Sequence, residues 1–169
     1  VVKEFGKLDV LVNNAAYQVT YDSIEEWPSE EWQRTFQVNI FSMFYLCKAA
    51  APHLKPGATI INTASIQAYK PNPQLLAYAP TKAAIVNFTK ALAQQMTPKG
   101  IRVNAVAPGP VWTPLIPASF DEKKVESFGQ DSASGRAAHP GEMAPAFVFL
   151  ASTESMYMTG EVLALTGGK

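Results

Sequence analysis

The chain has 169 residues, no net charge and a 47% hydrophobic composition, which fits one globular α/β-sized domain with a real core. With charge balanced and no basic run, nucleic-acid binding has no electrostatic footprint, and no apolar run is long enough to span a membrane. The lone cysteine, Cys47, excludes an internal disulfide and fits a reducing, cytoplasmic compartment; its apolar helical surroundings point to a packed thiol.

The first nine residues carry no initiator methionine and no signal-peptide pattern. They read as the tail of a helix with Gly6 as its C-cap, a start expected of a piece of a longer chain. Residues 9–12 form a short apolar run ending in Asn13-Asn14, consistent with a buried parallel strand. Residues 17–26 are polar and read as a loop. Ser29, followed by Glu30 and Glu31, is the expected N-cap of a helix with an acidic first turn. Trp32, Phe36, Ile40, Phe44 and Cys47 carry that helix to about residue 53. Pro56-Gly57 reads as a turn. Residues 58–64 are a second strand, with Ser65 at its carboxyl end. A helix spans 76–95, with Pro80 early in it, where a missing N–H costs least. Residues 102–107 are a third strand, closed by Pro108-Gly109-Pro110. Residues 140–150 are helical, and 162–165 form a last strand before Gly167-Gly168.

Strands alternating with helices imply a Rossmann-like, doubly wound parallel sheet with helices on both faces. In such sheets the ligand lies outside the carboxyl ends of the strands. Asn14, Ser65 and Pro108-Gly109 all fall just past strand ends, so three separated segments converge on one rim. Tyr78 and Lys82 stand four residues apart on a helix, hence on one face. Ser65 lies thirteen residues before the tyrosine. An ammonium beside a phenol favours the phenolate and lowers its pKa, which suits a general acid or base. A serine hydroxyl can orient a carbonyl or alcohol oxygen. The Tyr–Lys spacing alone arises about 0.4 times by chance in this composition; the shared rim makes it a candidate site.

Taken together, these segments resemble the classical short-chain dehydrogenase/reductase family. The resemblance rests on Asn13-Asn14-Ala15-Ala16, on Asn39 within Val38-Asn39-Ile40, and on Ser65 with Tyr78-x-x-x-Lys82. It continues through Asn104-x-x-x-Pro108-Gly109-x-Val111-x-Thr113 and Thr159-Gly160 to Gly167-Gly168, and so runs the whole chain in order. It implies an oxidoreductase that passes a hydride between NAD or NADP and a small alcohol, ketone or aldehyde substrate. Tyr78 is implied as the proton donor or acceptor and Ser65 as the holder of the reacting oxygen. Lys82 is implied to lower the tyrosine pKa and bind the nicotinamide ribose, and Asn39 to hold a water that relays protons from Lys82. Pro108 and Gly109 belong to the nicotinamide-side loop; Val111 and Thr113 are implied to meet the carboxamide, and Asn14, Ala15 and Ala16 to line the adenosine side. Ala16 stands where the family has glycine. The family's glycine-rich phosphate loop has no counterpart among these residues, so the chain reads as the C-terminal two-thirds or so of such an enzyme, its N-terminal strands missing. The resemblance also implies a homotetramer or dimer, built partly on the two long helices, which are apolar over more than one stripe.

Blander readings stand beside these. Asn39 could face solvent from mid-helix, Ser65 could simply begin a turn, and residues 110–139 could be a substrate lid with an apolar underside or a plain surface segment. His53 and His139 show no partner pattern, no Gly-x-Ser-x-Gly elbow suggests a hydrolase, and the scattered carboxylates give no metal-ligand spacing. The competing function is a non-catalytic scaffold or oligomerisation module that does not bind a dinucleotide.

Overall fold

The computed structural model describes residues 1–168. After a helical turn, α1 (Val2–Phe5), the chain enters strand β1 (Leu8–Asn13). Gly6 ends α1 in the left-handed region (φ 71°), as its C-cap role requires. Helices α2 (Ser29–Phe36) and α3 (Ser42–Ala50) follow, then β2 (Leu54–Thr63), the long α4 (Tyr78–Met96) and β3 (Arg102–Pro108). Short helices α5 (Leu115–Ser119) and α6 (Glu122–Glu126) lead to α7 (Pro140–Ala151) and β4 (Val162–Leu165). All neighbouring strands pair in parallel, in the order β1-β2-β3-β4.

Alternation along each buried strand assigns its side chains to opposite faces. Ile60, Val103 and Ala105 pack with Met43, Cys47, Ile85 and Ala93 of α3 and α4. Ile61 and Val106 pack with Ala146 and Leu150 of α7 on the other face. Strands β2 and β3 are thus covered on both sides, as the alternating pattern implies, whereas β1, expected to be buried, is an edge strand whose Val10 and Val12 are exposed. Arg102 ties α7 to the sheet by donating to the carbonyls of Leu150 (3.0 Å) and Ser152 (3.1 Å) at the helix's end. Asn13 donates to Asn62 (2.8 Å), and Asn62 to Thr89 (2.9 Å), a polar line from β1 through β2 to α4. Cys47 is buried, and burial pushes its thiol pKa up, so it is packed and unreactive.

Three local expectations are corrected. Ser29 is the first helical residue of α2, not its cap; the Pro28 carbonyl accepts from Glu31 (3.1 Å) and Trp32 (3.2 Å). Proline's fixed φ lets it start the helix without a side-chain cap. Strand β2 begins at Leu54 and runs through Pro56-Gly57, where a turn is expected, because a bulge absorbs the extra residues between the pairs Leu8–Leu54 and Val10–Thr59. The helix expected over 30–53 contains a π-helical turn, Gln37–Phe41, and its buried line is Thr35, Asn39, Met43, Cys47 and Ala50. Trp32 and Phe44, expected inward, are 39% and 43% exposed. Thr35 tolerates the interior because its hydroxyl donates to the Glu31 carbonyl (2.7 Å).

Candidate functional site

The carboxyl ends of β1, β2 and β3 open into one cleft of about 1270 Å³. Asn14, Ala15 and Ala16 reach it from the end of β1, Ser65 from the end of β2, and Pro108, Gly109, Val111 and Thr113 from beyond β3. Tyr78 and Lys82, on the first turns of α4, complete its floor. Every site residue expected from sequence lines this cleft except Asn39.

Ser65 serves both readings at once. Its hydroxyl accepts from the Gln67 amide (3.2 Å), capping the turn Ile66–Ala68, and it is near enough to the Tyr78 phenol to favour its ionised form. Lys82 is 1% exposed. Its Nζ donates to the Thr63 carbonyl (2.8 Å) and lies 5.1 Å from the centre of the Tyr78 ring. An ammonium carries three N–H donors, and one is spent here. The ionisation of the pair differs from the expectation. Burial pushes the Tyr78 phenol up to about 12, with Ser65 pulling the other way. Burial also brings the Lys82 ammonium down to about 8. Both groups sit in a poorly solvated floor that disfavours charge. At neutral pH Tyr78 therefore holds its proton.

Asn39 is buried in the π-helical turn with its carboxamide engaged elsewhere. Its Oδ1 accepts from the Tyr17 amide (2.7 Å); its Nδ2 donates to the Tyr17 carbonyl (2.9 Å) and to Thr81 Oγ1 (3.1 Å). Thr81 in turn donates to the Tyr78 carbonyl (2.6 Å). Asn39 thus braces the segment after β1 against the start of α4, next to Lys82 rather than on it.

Gly109 lies against the backbone of Thr166; a Cβ there would stand 2.7 Å from its carbonyl oxygen. Close approach requires this glycine, independent of any ligand. Residues 110–139 are pinned at their base, where Trp112 donates to Ala138 (2.8 Å) and Ala138 to Pro110 (2.9 Å). From this segment Leu115, Ile116, Phe120 and Phe128 face the cleft. The sequence reading missed Gln18, Gln67, Asn72, Met143 and Phe147, which also line it. The i,i+4 spacing of Met143 and Phe147 on α7 marks a helix face, but nothing in that spacing says the face meets a cleft. Among the described residues no group of three His, Cys, Asp or Glu side chains could hold a metal ion, and no helix is long and apolar enough to cross a membrane.

A family model described as enoyl-(acyl carrier protein) reductase matches residues 1–169. A doubly substituted short-chain dehydrogenase/reductase of Serratia marcescens superposes with a TM-score of 0.88 at 36% identity, over 99% of this chain and 67% of that one. The chain belongs to the short-chain dehydrogenase/reductase family. A glucose and ribitol dehydrogenase of Daucus carota is 54% identical over 168 residues, covering 99% of this chain and 58% of the relative. The 3-ketoacyl-(acyl-carrier-protein) reductase of Brucella melitensis, solved with NADH, is similar at a TM-score of 0.88 and 34% identity, over 99% of this chain and 69% of that one. The chain spans about 58% of the length of the curated relatives it matches.

Proposed function

We propose that the protein is an NAD(P)-dependent oxidoreductase acting on a small alcohol, ketone or aldehyde, with Tyr78 as its acid–base group. The observation that carries this reading is the buried Tyr78 at the floor of the cleft, with Ser65 lining the same cleft and Lys82 Nζ 5.1 Å from the centre of its ring. When bound, a nicotinamide dinucleotide supplies or takes the hydride. The two unspent donors of Lys82 suit ribose hydroxyls, and Asn14, Ala15, Ala16, Pro108, Gly109, Val111 and Thr113 supply the wall along which such a cofactor fits. Ser65 and Tyr78 hold the carbonyl oxygen of the substrate. As the carbonyl carbon gains hydride, its π pair moves onto that oxygen, which takes the phenolic proton. The phenolate left behind is offset by the Lys82 ammonium. Residues 110–139 act as the substrate lid, their apolar side chains keeping water from the reacting carbon.

The same reading includes a homo-oligomer, tetramer or dimer, supported by the exposed Phe44, Tyr45 and Leu46 of α3. It also includes a cytoplasmic location, supported by the free thiol of Cys47.

Tyr78→Phe in the native protein tests the proposal. Turnover should fall by a factor of about 10² to 10⁴, the range of general acid catalysis, while the dissociation constant for NAD(P)H, read by fluorescence titration, stays the same. Retained turnover removes Tyr78 from the mechanism. Failure of the wild type to bind NAD(P)H saturably favours the non-catalytic scaffold instead.

A further inference from the structure

Gln18 carries a carboxamide that the proton-transfer reading leaves unused. It is 7% exposed and lines the cleft, yet its carboxamide has no hydrogen-bond partner among the described residues. Its backbone is held firmly: the preceding residue, Tyr17, is clamped by Asn39, and the Gln18 carbonyl accepts from Ser119 Oγ (3.3 Å) of α5. Held in place with no protein partner, the amide is left open to the cleft, where a ligand's polar groups can meet it. Two more carboxamides line the same cleft with spare donors. Gln67 spends its Oε1 on the Asn72 amide (2.6 Å), and Asn72 spends its Oδ1 on the Gln74 amide (3.0 Å). The amino group of each has no protein partner among the described residues. Gln67 stands two residues after Ser65. Among the described residues the charged side chains along the cleft are Lys82, Lys124 and Asp131, with no arginine, so a carboxylate or phosphate finds no bidentate clamp among them.

We infer that Gln18 determines substrate specificity, reading hydroxyl groups near the reacting carbon together with Gln67 and Asn72, so that the cleft takes a neutral, multiply hydroxylated substrate. Carboxamides both donate and accept, as hydroxyls do, and they add no charge. The inference rests on the reading of Tyr78 and Ser65 as the reacting centre, which places the carbonyl at the same cleft.

Gln18→Met keeps the side chain's length and removes its amide. Because no protein hydrogen bond is lost, the melting temperature should equal or exceed that of the wild type; a lower one would assign Gln18 to packing. In the native protein with NAD(P)H, kcat/KM is measured for D-erythrose and butanal, four-carbon aldehydes that differ in their hydroxyls. The substitution should reduce kcat/KM for erythrose about tenfold, the worth of one hydrogen bond, and leave butanal within about twofold. Equal losses for both, or none, overturn the inference. If the wild type reduces neither aldehyde, it is the reading of Tyr78 that fails. Binding then decides the inference separately, through the ¹⁵N side-chain amide resonance of Gln18, identified by its disappearance in Gln18→Met. Ribitol should shift it and 2-pentanol should not. An unmoved resonance at saturating ribitol overturns the inference.

Discussion

Lys82→Met isolates what the cleft floor does to a charge. Methionine keeps an unbranched chain of similar length but cannot be protonated. In the wild type the ammonium is 1% exposed, with the Thr63 carbonyl as its hydrogen-bond partner and no carboxylate in ion-pair contact among the described residues. Burial lowers its pKa from 10.5 to about 8. Below about pH 8 both folded and unfolded chains hold this proton, and the folded state bears the full cost of burying it. Between about 8 and 10.5 the unfolded chain keeps a proton that the folded chain has released, so stability rises with pH. Above 10.5 both are neutral and the cost is gone. The shift corresponds to about 3 kcal/mol across that window. Tyr78, raised from 10.0 to about 12, has the opposite sign: above pH 10 the unfolded chain ionises first and stability falls. It is present in both proteins and drops out of their difference. Urea unfolding, followed by tryptophan fluorescence, gives the stability of each protein at pH 7.5 and pH 10. The wild type should gain about 2–3 kcal/mol on Lys82→Met between the two. A gap that does not move with pH refutes the buried-ammonium argument.

Two further outcomes follow from contacts in and around the cleft. Gly109→Ala puts a Cβ 2.7 Å from the carbonyl oxygen and 2.8 Å from the Cα of Thr166, so calorimetry without any ligand should show a loss of about 1–3 kcal/mol. An unchanged melting temperature would show that the loop after β3 yields freely. Asn39→Leu leaves the Tyr17 N–H and C=O without their partner, at a cost of about 2–4 kcal/mol. Hydrogen exchange at the Tyr17 amide should accelerate by more than at the amides of β3; equal acceleration would mean global loosening instead of a lost brace.

The parallel α/β order was legible because β2, β3 and β4 are apolar runs bounded by turn residues, and because α4 starts with a proline tolerated in its first turn. The facing of α2 and α3 was not legible. An apolar ladder through Trp32, Phe36, Ile40 and Phe44 is the natural reading, yet the buried line is the neighbouring one, through Thr35, Asn39 and Met43. Thr35 and Asn39 find hydrogen-bond partners inside, and periodicity alone does not report them. The same limit hid Gln18, which lies in a polar stretch with no spacing to mark it as a cleft residue.

The site shows the complementary lesson. Spacing placed Tyr78 and Lys82 on one face, and strand ends placed Ser65 beside them, but their charges depend on burial, which spacing does not carry. Attraction between an ammonium and a phenolate was expected to dominate. Instead both groups are drawn toward neutrality, the phenol up to about 12 and the ammonium down to about 8. The protein by itself therefore keeps Tyr78 as a proton donor throughout the neutral range, which suits carbonyl reduction directly. Oxidation of an alcohol would begin from the phenolate, a state this floor disfavours until positive charge is added to it. If the proposed activity holds, raising the pH from 7 to 9 should therefore increase the oxidation rate more than the reduction rate, and Lys82→Met should steepen that contrast by removing the one cation beside the ring. An oxidation rate flat over this range would place the proton acceptor elsewhere.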